Sequence, residues 1–120
     1  MQSMEQHRAQ FALAKIQNIA AGPTSVQVEV RRYLHGLPAL IRMNGLGQAL
    51  AFYRMQGNGS SHELIYRMVG EWLCQGGSKG RVFTQDTDAL TAITRSDMFA
   101  YMAAQNEAMA LLEWLKKFAL

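Results

Sequence analysis

The sequence has little cysteine, little charge and no long apolar run, and each shortage excludes something. Cys74 is the only cysteine of the 120 residues, so neither an internal disulfide nor a cysteine-based zinc site can form. It sits between Leu73 and Gln75 in a helical pattern, where a lone cysteine serves as a small buried apolar group rather than a nucleophile. No apolar run approaches the ~20 residues that span a bilayer. The N-terminus is polar, with Gln2, Ser3, Glu5 and Gln6. Neither a membrane anchor nor an export signal is expected, and a cytoplasmic location follows by default. Charged residues make up 18% of the chain and hydrophobic ones 49%, a balance that folds rather than stays disordered. The length suits a single domain, residues 1–120, with one core.

The net charge of +3 is unevenly spread. Up to Asn58 six basic residues (Arg8, Lys15, Arg31, Arg32, Arg42, Arg54) face Glu5 and Glu29, a balance of +4. From Gly59 onward six basic residues meet seven acidic ones, a balance of −1. A basic half beside a neutral half suggests a one-sided contact with a polyanion, although proteins with other functions share such asymmetry.

Nearly every segment has helical spacing, punctuated by proline and glycine. Ala9, Leu13, Ile16 and Ala20 form the apolar stripe of a first helix, stopped by Gly22-Pro23. Thr24 or Ser25 is placed to cap a second, whose apolar set is Val26, Val30, Tyr33, Leu34 and Leu37. Residues 26–30 also alternate like a strand, but the alternation fails at Arg31-Arg32 while the helical spacing runs on. Pro38 should kink or break this helix. Leu40 and Ile41 continue its face, and Asn44-Gly45 offers a left-handed stop. Leu46, Ala49, Leu50 and Tyr53 mark a third helix, ended at residues 57–59. Ser60 and Glu63 have capping-box spacing before a fourth, which should bury Leu64, Ile65, Met68, Val69 and Trp72. Glu63, Arg67 and Glu71 read as an i,i+4 ladder on its solvated side. Residues 76–81 read as a flexible loop. A short helix around Ala89, Leu90 and Ile93 and a long one from about Asp97 follow. The last helix places Met98, Tyr101, Met102, Met109, Leu112, Leu115 and Ala119 on one broad side, with Leu111, Trp114 and Phe118 on another.

Little of this carries catalytic chemistry. Residues 76–81 lack the spacing and preceding strand of a phosphate-binding loop, although Lys79 and Arg81 could touch nucleic acid. His7, His35 and His62 fall on separate elements, and none belongs to a His-x-x-x-His pair. Asp86 and Asp88 could hold Mg²⁺, yet acids there usually serve a solvated first turn. No nucleophile, base and oxyanion set is visible, so no catalytic residue, metal site or cofactor is expected.

One constellation remains. Val28, Arg31, Arg32 and His35 lie opposite the apolar stripe of the second helix, and Arg42 joins them if that helix continues past Pro38. Arg8 and Lys15, seven apart, share a stripe on the first helix. Such rows can track a phosphate backbone without reading bases, or be ordinary solvated surface.

The stretch Leu37-Pro38-Ala39-Leu40-Ile41-Arg42-Met43-Asn44-Gly45-Leu46-Gly47-Gln48-Ala49-Leu50-Ala51-Phe52-Tyr53 resembles the signature of the small-subunit family of Cmr-type (type III-B) CRISPR effector complexes. Tyr101-Met102, followed by Ala110-Leu111-Leu112-Glu113-Trp114-Leu115-Lys116-Lys117-Phe118-Ala119, is similar to the family's C-terminal pattern, and Ala9-Gln10-Phe11-Ala12-Leu13-Ala14-Lys15 also fits. Residues 60–94 match only in character. The resemblance implies an all-α, compact single-domain bundle of about six helices. It implies a non-catalytic RNA-binding part in antiviral defence, with copies stacked in a minor filament beside a large polymerase-like subunit and backbone subunits. The filament would help line the channel for guide and target RNA. The matched basic positions are Lys15, Arg42, Lys116 and Lys117, with Arg42 foremost; an Arg near a helix end can equally hydrogen-bond the last carbonyls. A free-standing helical nucleic-acid binder or regulator, and a small ribonuclease, are the other classes. The first would need an exposed recognition helix, the second clustered acid–base residues.

Overall fold

Glycine and proline divide the chain where the spacing predicts, and the computed structural model, which describes residues 1–84 and 87–119, has six helices. They are α1 (Met4–Ala20), α2 (Thr24–Asn44), α3 (Leu46–Arg54), α4 (Ser61–Cys74), α5 (Ala89–Arg95) and α6 (Met98–Phe118). Among the described residues there is no strand, so the 26–30 alternation resolves as helix. The architecture is all-α, with a radius of gyration of 13.4 Å, close to the roughly 13.5 Å of a compact chain this long.

The core follows from residue spacing. Val30, Leu34, Leu37 and Ile41 recur at four, three and four and are buried along α2. They meet Leu46, Ala49, Leu50 and Tyr53 of α3 and Ile65, Met68, Val69 and Trp72 of α4. Each fully buried leucine or isoleucine contributes about 1.5–3 kcal/mol.

Pro38 is buried inside α2 and does not end it. Its ring leaves the Leu34 carbonyl without the usual N–H. The Tyr53 hydroxyl donates to the adjacent Tyr33 carbonyl at 2.7 Å, binding α3 to this weakened turn. Pro23 occupies the N-cap of α2 and gives no side-chain hydrogen bond, so neither Thr24 nor Ser25 is the cap. Instead the Gln27 amide donates to the carbonyls of Ala20 and Gly22, closing the corner between α1 and α2.

Two faces differ from the sequence expectation. On α1, Leu13 is 42% exposed and Ala20 is also exposed. The packed face is Ala12 with Phe11, Ile16 and Ile19. On α6, Met98 and Met102 are exposed, and the buried residues are Ala104, Ala108, Leu111, Leu112 and Leu115. The α6 helix is apolar around much of its circumference, and on α1 apolar residues also flank the expected stripe, so spacing alone could not select the arc. Their mutual packing does, and small alanines let the two backbones approach closely.

The ladder on α4 is also revised. Arg67 does pair with Glu63 at 2.9 Å, but Glu63 is only 8% exposed and Glu71 pairs with Lys15 of α1. Ser60 caps α4 by accepting from the Glu63 N–H, while the Glu63 carboxylate reaches the Gly59 N–H rather than that of Ser60. The bonds from Gly59 and Arg67, the backbone one foremost, hold its carboxyl below the usual range.

Trp72 joins three elements. Its indole N–H donates to Glu107 of α6 at 2.9 Å, and its ring lies 4.8 Å from that of Phe11 on α1. Glu107 also accepts two bonds from Arg8, at 2.6 and 2.9 Å. Burial pushes the Glu107 carboxyl up, but the Arg8 and Trp72 bonds outweigh it and leave it below the usual range. The segment after α4, read from the sequence as flexible, folds back onto this tryptophan. The Ser78 hydroxyl donates to the Trp72 carbonyl, Val82 and Phe83 N–H groups donate to the Leu73 carbonyl, and Gly80 lies against the indole.

The two signature segments meet at the start of α3. Gly45, at φ +85° and ψ 162°, has no side chain with which to cap that helix. Two α6 side chains one turn apart do it instead. The Gln105 carbonyl accepts from the Leu46 N–H and the Tyr101 hydroxyl oxygen from the Gly47 N–H, each at 3.0 Å. These are two of the four N–H groups that a helix start leaves unpaired.

Candidate nucleic-acid interface

Because α2 continues through Pro38, its outer face forms one ridge. Arg31, Arg32, His35 and Arg42 are all exposed there, opposite the buried Val30–Ile41 stripe. Arg31 and Arg42 are eleven residues apart, about 16 Å along the axis at 1.5 Å per residue. Among the described residues no carboxylate pairs with Arg31, Arg32 or Arg42. Glu29, the one acid on this helix, accepts from the Ser61 hydroxyl of α4 at 2.8 Å. The ridge therefore carries uncompensated positive charge on a rigid element, suited to phosphate contact without base readout.

The remaining basic candidates are placed differently. Arg8 is largely enclosed and bonded to Glu107 and Glu5. Lys15 is held by Glu71 at 2.6 Å and lies over the Phe11 ring. These two form intramolecular bridges, not a free stripe. Lys116 is 3.8 Å from Glu113, and Lys117 lies over the Trp114 ring. Lys79 is exposed in the 76–84 segment, and Arg81 there donates to the carbonyls of Phe83 and Thr84.

Beside Arg32 lies an aromatic cluster that no sequence spacing indicated. The Arg32 guanidinium sits 5.2 Å from the centre of the Tyr33 ring. His62 of α4 stacks on Tyr33 with centroids 3.7 Å apart, and Tyr53 of α3 meets His62 edge-on at 4.8 Å. Phe52 lies perpendicular to His62 at 6.4 Å and is 48% exposed. Burial holds the His62 imidazole below its ordinary pKa, so it stacks as the neutral ring at neutral pH; Glu29 opposes the shift and Arg32 adds to it. Burial likewise pushes the Tyr53 phenol up to about 12. These rings come from three helices, so they have no common spacing in the chain.

The candidates for other chemistry are dispersed. His7, His35 and His62 lie on α1, α2 and α4. Asp88, the N-cap of α5, accepts from Tyr66 and Arg54 and makes no cap bond of its own. Asp86 lies outside the described residues, among which no group of three His, Cys, Asp or Glu side chains could hold a metal ion. Cys74 is buried. Among the described residues no helix is long and apolar enough to cross a membrane.

Comparison with known proteins places this geometry. The chain is 29% identical over 119 residues to the CRISPR system Cmr subunit Cmr5 of Thermus thermophilus, covering 99% of this chain and 95% of the relative. The fold superposes on the crystal structure of a CRISPR-associated Cmr5 family protein from Thermus thermophilus with a TM-score of 0.74 and 26% identity. That match covers 99% of this chain and 96% of the other. Residues 4–120 match the model of the CRISPR-associated protein family Cas_Cmr5. Because that family model spans residues 4–120, nearly the whole chain, the chain belongs to the Cmr5 family of CRISPR-associated proteins.

Proposed function

We propose that this chain is a non-catalytic small subunit of a Cmr-type (type III-B) CRISPR ribonucleoprotein acting in the cytoplasm. In this reading copies of it stack beside the large polymerase-like subunit and the backbone subunits, and line the channel of the guide–target RNA. The observation that carries the RNA-facing part is the exposed ridge of Arg31, Arg32 and Arg42 on α2, none of which pairs with a carboxylate among the described residues. Those three lead, with Lys79, Arg81, Lys116 and Lys117 as outlying contacts. Arg8 and Lys15 come last, since each would have to leave a carboxylate partner to reach RNA. One subunit with few phosphate contacts binds weakly, and affinity comes from many contacts along one strand.

The test is charge reversal within the assembled complex. Arg31→Glu and Arg42→Glu should weaken target binding for all sequences alike and reduce the salt slope by about one per lost contact. Arg95→Glu, an exposed arginine on α5, is the control and should change neither. If the ridge variants behave like that control in an intact complex, the ridge is solvated surface. If they instead lose the subunit from the complex, the ridge is a protein contact.

A further inference from the structure

The ridge accounts for phosphate but leaves the aromatic cluster beside it without a use. Phe52 exposes half of its ring, and Met55, one turn further, is 73% exposed. Nothing about folding requires an open phenyl face here, since α3 already anchors itself through Leu46, Ala49, Leu50 and Tyr53. Behind Phe52 the cluster is rigid. His62 is held between Tyr33 and Tyr53, and the Tyr53 hydroxyl is tied to the Tyr33 carbonyl at 2.7 Å. Arg32 belongs both to the ridge and, through Tyr33, to the cluster. A fixed aromatic face, a guanidinium plane and a row of cations together make the arrangement that binds single-stranded nucleic acid by stacking bases while holding phosphates.

We infer that Phe52, set against His62 and Tyr53 of a cluster that Arg32 joins through Tyr33, is a stacking site for one unpaired RNA base whose phosphates lie on the α2 ridge. This rests on the RNA-facing reading of that ridge and adds to it a contact that salt does not screen. The ring faces carry no hydrogen-bond code, so any base should be accepted. The neutral His62 imidazole adds apolar stacking surface rather than a second charge.

The test uses the full chain and a short single-stranded RNA carrying 2-aminopurine, at low salt. Anisotropy reads total binding, and base emission reads stacking. Wild type should bind and change the emission. Phe52→Leu, which keeps an apolar side chain at the site, should lose the emission change and bind on the order of tenfold more weakly, with an unchanged salt slope. Phe52→Trp should retain both, which separates loss of stacking from damage to the fold. An RNA abasic at every position should bind wild type and Phe52→Leu alike. Unchanged emission and affinity in Phe52→Leu would overturn the stacking site while leaving the ridge intact. Failure of the ridge shows separately, as Arg31→Glu and Arg42→Glu binding like wild type. Absence of any emission change with wild type would overturn the stacking site directly.

Discussion

Gly45 joins the two signature segments, and replacing it with alanine should be among the more damaging small changes in the protein. Its φ of +85° with ψ of 162° lies in a region almost closed to side-chain-bearing residues, and holding one there costs about 1–3 kcal/mol. A β-carbon would also stand 2.9 Å from the Tyr101 hydroxyl, forcing that phenol off the Gly47 N–H, a bond whose loss costs about 1 kcal/mol. Gly45→Ala should therefore lose about 2–4 kcal/mol, on the order of 10 °C in Tm for a chain this size. Tyr101→Phe alone should lose about 1 kcal/mol. The double variant is the informative one. Phenylalanine removes the oxygen that the new methyl would strike, and the next nearest atom, on Gln105, is 3.9 Å away. The hydrogen bond is then lost once rather than twice, so the double variant should be about 1 kcal/mol more stable than the sum of the single losses. Urea unfolding followed by circular dichroism reads all three. Additivity within about 0.5 kcal/mol, or a Gly45→Ala loss of that size, would refute the account of how α6 caps α3.

Glu107→Gln should cost about 2 kcal/mol at neutral pH, because it weakens charge-assisted bonds to Arg8 and Trp72. Glu107 has a depressed folded pKa, so its contribution is present above the ordinary value of 4.5 and fades as pH falls through the lower folded value. The gap between wild type and variant in urea midpoints should therefore narrow below pH 4.5, and a gap independent of pH would contradict the ion-pair role. Gly80→Ala would drive a β-carbon into the Trp72 indole and should cost about 1–3 kcal/mol as overpacking. Read in a Trp114→Phe background, it should shift Trp72 emission to the red, and unchanged emission would mean the 76–84 segment is not seated on that ring. The purified chain should not cleave RNA with Mg²⁺ or Mn²⁺, since Asp88 is taken by Tyr66 and Arg54. Cleavage abolished by Asp88→Ala would show that this carboxylate had been misjudged.

The helices and much of the core are legible in the order of residues alone. Glycine and proline punctuate by backbone geometry, a local property, and the α2, α3 and α4 stripes alternate cleanly enough with polar residues to select their buried faces. The exposed side of α2 was equally legible, because a narrow apolar stripe leaves its opposite face to solvent. Tertiary structure decided the rest, for reasons that spacing does not contain. On α1, whose small apolar residues spread beyond one stripe, and on α6, apolar over much of its circumference, only packing chose Ala12 over Leu13 and Ala104 and Ala108 over Met98 and Met102. Only folding showed which cations are free. Arg8 and Arg42 are the same residue type, but Glu107, ninety-nine residues away, neutralises the first, and among the described residues no carboxylate pairs with the second. The Phe52–His62–Tyr33 cluster and the capping of α3 by Tyr101 and Gln105 likewise join residues from separate helices, whose meeting is set by the packing angles of the bundle and by no period along the chain.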